Sequence, residues 1–315
     1  MKITKIYKEK YKGEVYNFHC LPSENYFSHN ILVHNCYKGN GKDEDTYHMT
    51  LDDFKTIFNK VNKSGILSQI AFGICDISSN KDFFAMMEYS REHGVIPNYT
   101  CNGSQVTSEV AKRTAELCGA VAVSIVDKEK TYDAIKKFSV DNKIDQCNLH
   151  FMLSMESYDN AFNVIDDMKR DPRLKNMNAI VFLQYKHKNT NSPHHSVLDV
   201  EKYAKLINYC NEKEINYGFD SCSANLYKES IKNKENREQL EKYCEPCESK
   251  IFSFYINCHG IGYPCSFVEG IEKGEDVLNC NDFMEDIWFS GETIKWRERL
   301  LSNNRNCPVY NLEVV

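Results

Sequence analysis

The chain has 315 residues, 42% hydrophobic and 27% charged, with a formal net charge of −6. That is room for one large domain plus an appendage. It carries no basic excess of the kind that binds nucleic acid, and no apolar run long enough for a helical membrane span.

The opening residues, MKITKIYKEKYKGEVY, alternate Lys with Ile and Tyr and lack the apolar core of a signal peptide. Residues 1–35 hold short runs of period-two character, KITKIYKE, EVYNFHC and NILVHN, separated by Lys12-Gly13 and Pro22-Ser23 turns. They read as a small β-rich segment, too short to bury a core alone. From Thr50 the pattern changes. Thr50, with Asp53 three residues on, caps a helix over LDDFKTIFNKVNK, and Gly65 follows it. A buried strand is expected at 68–72, then the helix DFFAMMEYSREH with Gly94 as its C′ residue. The alternation continues with strand 95–99, helix 105–118, strand 120–125, helix 131–140, strand 147–153, helix 157–169, strand 179–184, helix 199–213 and strand 215–219. This is the βαβ rhythm of a parallel sheet, with six strands rather than the eight of a full barrel.

Beyond Asp220 the rhythm fails. Residues 222–307 hold seven of the fourteen cysteines among Gly, Pro and short β-like pieces such as FSFYINCHGIGYPCSF. KESIKNKENREQLEK reads as a solvated helix. Without a signal peptide the expected location is cytoplasmic, where cysteines at this density point to metal or cluster ligation rather than disulfides. The single cysteines 75, 101, 118, 147 and 210 lie in apolar contexts and are expected as small core residues.

The triplet His34-Asn35-Cys36 stands where the two compositions meet. An Asn side-chain amide can attack its own backbone carbonyl, forming a succinimide and cutting the chain before the next residue. A neighbouring His can donate the proton to the leaving amide, and a following Cys is a competent nucleophile. EVYNFHC followed by ENYFSHNILVHNC, within residues 14–36, resembles the last two sequence blocks of inteins. That resemblance implies that Asn35 cyclises, His34 assists it, and Cys36 is the first residue of the C-extein. Where many inteins carry a His before the second strand this chain has Glu24, so Glu24, Asn17 or a residue of the partner fragment takes that role. The resemblance also implies a partner: a separate N-intein/N-extein polypeptide.

Residues after the triplet carry a second resemblance. Cys36 followed by YKGNGK, then a helix, a strand and FGICD, is similar to the radical SAM superfamily. Those enzymes hold a 4Fe-4S cluster on three thiolates of a CxxxCxxC loop and chelate S-adenosylmethionine on the open iron. Cys36 matches the third thiolate; the first two, and barrel strand one, are expected in the N-extein. By the same resemblance Gly73 and Asp76 (in QIAFGICD), Asn102 (in IPNYTCNG) and Ser124 (in AVAVSI) contact the cofactor. GFDSCSA, CEPCES, YPCSF and NCP resemble the cysteine-rich SPASM/twitch extension that holds an auxiliary Fe–S cluster, with Cys222, Cys247, Cys265 and Cys307 as ligands and Cys244, Cys258 and Cys280 to spare. Zinc is the rival metal, because Cys244 and Cys247 form a zinc-like pair. The His194-His195 pair reads as loop.

The expected organisation is therefore an intein segment over 1–35, a partial (β/α)6 radical SAM barrel over 36–220, and an auxiliary-cluster extension over 221–315. The implied substrate is a peptide or a small molecule. The alternative function is a non-catalytic scaffold that binds an Fe–S cluster or zinc.

Overall fold

The computed structural model describes residues 25–28, 31–34, 47–73, 77–186 and 196–309. The chain divides into two units, Met1–Asp45 and Thr46–Val315. The expected boundary between residues 35 and 36 lies outside the described residues, as do Glu24 and Asn17.

In the first unit β1 (Asn25–Ser28) and β2 (Ile31–His34) form an antiparallel hairpin, with Asn25 opposite His34 and Ser28 opposite Ile31. NYF and ILVH are thus strands, as their aromatic and β-branched content favours.

The second unit builds the expected alternation as one parallel sheet. Its strands are β3 (Gln69–Gly73), β4 (Ile96–Cys101), β5 (Ala120–Ser124), β6 (Cys147–Leu153), β7 (Ala179–Gln184) and β8 (Tyr217–Phe219), hydrogen-bonded in that order. A doubly wound sheet reverses its strand order at a switch point; this one advances in a single direction, as a barrel wall does. Strand β3 is one edge of it, paired only with β4 among the described residues. The helices are α1 (Leu51–Val61), α2 (Phe83–Glu92), α3 (Ser108–Leu117), α4 (Lys128–Ile135), α5 (Tyr158–Arg170) and α6 (Val200–Glu212).

Caps explain where most of these helices start. Thr50, Thr107, Asp127 and Asp199 each accept the backbone N–H three residues on. The Asp127 cap starts α4 three residues before the expected 131, and its end passes into a π turn over Lys136–Asp141. Gly94 takes φ +77° after α2, the left-handed C′ position that glycine fills without strain.

Alternation along the strands sorts the side chains into two faces. One face, with Tyr99, Val123, Leu149, Phe151, Ile180 and Phe182, packs under the helices in one large core. Cys101, Cys118, Cys147 and Cys210 are buried in it, as expected of small apolar residues; Cys75 lies outside the described residues. The opposite face is more open and carries the polar strand residues.

After β8 the chain enters a short 3-10 turn (Ser221–Ser223), then α7 (Ala224–Ile231) and α8 (Arg237–Leu240). The single solvated helix expected over KESIKNKENREQLEK is instead two pieces. Leu226, Tyr227, Ile231 and Leu240 are buried, and the Tyr227 hydroxyl donates to Leu240 O at 2.8 Å, folding the segment back on itself.

Strands β9 (Tyr255–Ile256), β10 (Ile261–Tyr263) and β11 (Glu275–Asp276) form a small antiparallel sheet with β10 central. A final helix, α9 (Gly291–Ser302), was not expected. Its signal is Ser290 as cap and Thr293, Trp296 and Leu300 buried on one helical face. A second core joins Ile57 of α1 to Val277, Phe283 and Ile287. Lys60 of α1 donates to the carbonyls of Leu278 and Cys280, both at 2.6 Å, fixing the extension to the first helix.

Candidate functional site

Two rows of side chains cross the open face of the parallel sheet. Register pairs Gly73 with Thr100, Thr100 with Ala122, and Ala122 with Asn148. The next row pairs Ser124 with His150, His150 with Val181, and Val181 with Gly218. Register partners in a parallel sheet share a face, so Gly73, Ser124 and His150 belong to one polar floor at the carboxyl ends of the strands. Among the described residues nothing lies within 4 Å of where a Cβ on Gly73 would stand. Ser124 ends β5 half-buried, directly opposite His150.

Asn102 lies just past β4, and its Oδ1 accepts from the N–H and hydroxyl of Ser104 at 3.0 and 2.7 Å. That bond, with Gly103 at φ +78°, makes the turn after the strand. A Cβ on Gly103 would meet Lys130 O and a Val123 methyl at 3.1 Å each. Of the other expected residues, His34 closes the β1–β2 hairpin, while Asn35, Cys36 and Asp76 lie outside the described residues, as do His194 and His195.

His150 was not singled out from the sequence. Its signal is the alternation Asn148, His150, Met152 on a strand whose other positions are Cys, Leu, Phe and Leu. Burial pushes the His150 imidazole down to about 4, against the pull of the Asp220 carboxylate, so it is neutral at pH 7.

Asp220 follows β8 and organises the first cysteine-bearing turn. Its Oδ1 accepts from the N–H of Gln184 at 3.1 Å and from the N–H and hydroxyl of Ser223 at 3.1 and 2.7 Å. Its Oδ2 pairs with Lys186 Nζ at 2.9 Å. The Lys186 ammonium sits 4.1 Å from the centre of the Phe267 ring. Burial opposes the charge on Lys186, but Asp220 and Cys222 outweigh it and hold the group above its ordinary value.

The four cysteines named as auxiliary ligands come from four separate turns. Cys222 sits in the turn that Asp220 caps. Cys265 opens the 3-10 turn Ser266–Val268 after β10. Cys247 is bound to the chain end through its backbone: its N–H donates to Arg305 O at 3.1 Å, and Arg305 Nε returns a bond to Cys247 O at 2.8 Å. Arg305 and Asn304, both at positive φ, turn the chain after α9 toward Cys307.

Electrostatics link the four in series. A charge on Cys307 raises the thiols of Cys222 and Cys265, and one on Cys247 raises that of Cys265. Burial is the largest cause at both, and pushes the Cys222 thiol up to about 12 while Lys186 pulls against it. Among the described residues no three His, Cys, Asp or Glu side chains converge as a single metal ion would need.

The spare cysteines sit differently. Cys244 is buried against the barrel core, with its Sγ donating to Asp220 O at 3.4 Å, whereas the Cys247 sulfur contacts Ser249 Oγ at 3.1 Å. The two thiols of the zinc-like pair are thus engaged with different parts of the fold. Cys280 Sγ donates to Val277 O at 3.2 Å, and Cys258 is half-buried.

No family model and no curated protein matches the chain. Solved structures do. Streptococcus suis SuiB bound to S-adenosylmethionine superposes at a TM-score of 0.62 and 14% identity, covering 81% of this chain and 62% of that one. SuiB bound to precursor peptide SuiA gives the same TM-score and identity, with 81% and 61% covered. Native anSMEcpe with bound AdoMet gives a TM-score of 0.57 and 14% identity, with 83% and 76% covered. The chain therefore spans about three-fifths of the SuiB length. The class defined by these likenesses is one of fold: an α/β protein with a partial (β/α)6 barrel that shares the fold of SuiB and anSMEcpe.

Proposed function

We propose that the chain belongs to a radical SAM enzyme that modifies a peptide, with an auxiliary Fe–S cluster on Cys222, Cys247, Cys265 and Cys307. The observation that carries this reading is one arrangement. The polar floor of Gly73, Ser124 and His150 opens at the carboxyl ends of the strands, where β8 leads through Asp220 straight into a linked group of four thiols. Four thiols suit an iron–sulfur cluster, and a buried lysine beside them suits its negative charge. SuiB with S-adenosylmethionine or precursor peptide SuiA, and anSMEcpe with AdoMet and the Cp18Cys peptide, support the cofactor and the substrate class.

Cys36 is the third thiolate of the catalytic 4Fe-4S cluster in this reading. A cluster held there would supply the electron for reductive cleavage of S-adenosylmethionine and so the radical chemistry on the substrate. The chain's own residues position the cofactor: Gly73 leaves room for it at the end of β3, the Asn102 turn sets the end of β4, and Ser124 offers a hydroxyl beside it. Asp76 is assigned to the same cofactor. Neutral His150 offers ring nitrogens to cofactor or substrate without adding charge to the floor.

The N-terminal segment is proposed to splice. Asn35 cyclises with help from His34, and Cys36 receives an N-extein from the separate N-intein/N-extein polypeptide, which brings the first two cluster cysteines and strand one. The β1–β2 hairpin leading to His34 and the division of the chain into two units support this. The edge position of β3 suits a strand supplied in trans.

Co-expression with candidate N-terminal halves, read by intact mass, tests the splicing. Loss of residues 1–35 and ligation at Cys36, abolished by Asn35→Ala, is the expected result; absence of a ligated species overturns it. Iron and sulfide counting on the anaerobically reconstituted chain tests the auxiliary centre separately. Zinc alone would leave the scaffold reading, and no metal would overturn both.

A further inference from the structure

The ammonium of Lys186 is the feature that the cofactor assignments leave unexplained. A buried lysine costs several kcal/mol unless its charge is matched and its three donors are used. One donor meets Asp220 Oδ2 at 2.9 Å, and the Oδ1 of the same carboxylate accepts from Ser223, next to Cys222 in the chain. The cation also lies 4.1 Å from the centre of Phe267, two residues past Cys265. The ammonium is thus enclosed between the turns that carry two of the four thiols. Asp220 does not need it for hydrogen bonding, because its Oδ1 already accepts from Gln184 and Ser223.

We propose that Lys186 is a positioning residue for the auxiliary cluster: a fixed positive charge, held by Asp220 and Phe267 beside the turns of Cys222 and Cys265, that makes the cluster easier to reduce. The inference rests on the cluster assignment made under Proposed function. Reduction adds one electron to a centre already negative from its thiolates. A cation held close to a ligand sulfur stabilises the reduced state more than the oxidised one, and such local charges are among the factors that set cluster potentials. Asp220, paired with the ammonium and two residues before Cys222, acts in the opposite sense. Removing Lys186 leaves that carboxylate unbalanced beside the cluster, while neutralising Asp220 leaves the cation unopposed.

The two substitutions therefore shift the potential in opposite directions, which a merely structural role would not do. The chain is reconstituted anaerobically with iron and sulfide, and its cluster is titrated against redox mediators and followed by electron paramagnetic resonance. At the potential where the native cluster is half reduced, Lys186→Met lowers the reduced-to-oxidised ratio at least tenfold, equivalent to about 59 mV for one electron. Asp220→Asn raises that ratio. An unchanged potential in Lys186→Met overturns the inference, as does a shift of the same sign in both variants. If either variant fails to load iron, the native protein labelled with 15N-lysine decides the matter. A 15N hyperfine coupling on the reduced cluster supports the inference, and its absence overturns it. Failure of the native chain to assemble a four-iron cluster is a different result, and overturns the cluster assignment itself.

Discussion

Lys186 Nζ lies 2.9 Å from Asp220 Oδ2, with the lysine side chain 4% and the aspartate side chain 17% exposed. The pair joins the end of β7 to the turn after β8, so both elements depend on it. Removing one partner of a buried pair strands the other charge and costs about 3–5 kcal/mol. Asp220→Leu is therefore expected to lose about that much stability in urea denaturation, since the Ser223 cap goes with the ion pair. Adding Lys186→Met to Asp220→Leu recovers part of the loss, because no charge is then left buried. A double variant as unstable as the sum of the singles would contradict this.

His150 gives the protein an acid-sensitive element. Its folded value is depressed to about 4, so between about 4 and the ordinary 6.5 the unfolded chain binds a proton that the folded chain does not. Stability from this group is complete above pH 6.5 and is lost as pH falls through that window, by at most roughly 3 kcal/mol. His150→Gln is expected to flatten the acid limb of a stability-against-pH curve measured by thermal melting. An unchanged acid limb would show that another group causes it.

Gly103 is required by both its backbone and its surroundings. Gly103→Ala must hold φ +78° and bring a methyl to 3.1 Å from Lys130 O. The left-handed conformation alone costs an alanine about 1–2 kcal/mol, and the close contact adds to it. Chemical denaturation should show at least that loss. A proposed cofactor contact runs through the neighbouring Asn102, so the weakened turn should also lower affinity for S-adenosylmethionine in the ligated protein, measured by calorimetry.

Arg305 is expected to matter for metal retention. Its guanidinium donates to the carbonyls of Pro246 and Cys247 at 2.9 and 2.8 Å, and it stands two residues before Cys307. Arg305→Ala removes both guanidinium bonds and leaves only the backbone bond from Cys247 N–H to residue 305 holding the Cys247 loop to the Cys307 turn. Iron retained after desalting should fall several-fold relative to the native chain, while far-ultraviolet circular dichroism stays unchanged because no helix or strand depends on the bond. Full iron retention would place the cluster elsewhere.

Local rules were enough for most of the barrel. Strand β6 runs Cys147–Leu153 and β7 runs Ala179–Gln184, as expected, because each is an apolar run bounded by turns. Helix α1 starts at the Thr50 cap for the reason its sequence announces. The misses have physical causes. Helix α9 hides among charges, since only Thr293, Trp296 and Leu300 mark its buried side. The stretch over 228–242 was misjudged because Tyr227, just outside it, reaches Leu240 and decides the fold-back.

The site was legible only where chemistry shows in residue type. The cysteine-rich stretch from Cys222 to Cys307 stands out in the sequence, but the approach of the Cys247 loop to the chain end depends on Arg305 and on α9 returning the chain to Cys247. Lys186 looks in sequence like a surface lysine after a strand. Only the approach of Asp220 and Phe267, from two other places in the chain, makes it a buried charge.

Formation of 5′-deoxyadenosine is the most direct test of the central proposal. The protein ligated at Cys36 is reconstituted with iron and sulfide, reduced, and given S-adenosylmethionine, with methionine and 5′-deoxyadenosine measured together. Equal amounts of the two products, lost in a Cys36→Ala ligation product, are the result the proposal predicts. No 5′-deoxyadenosine from a ligated protein carrying its full complement of iron would contradict it.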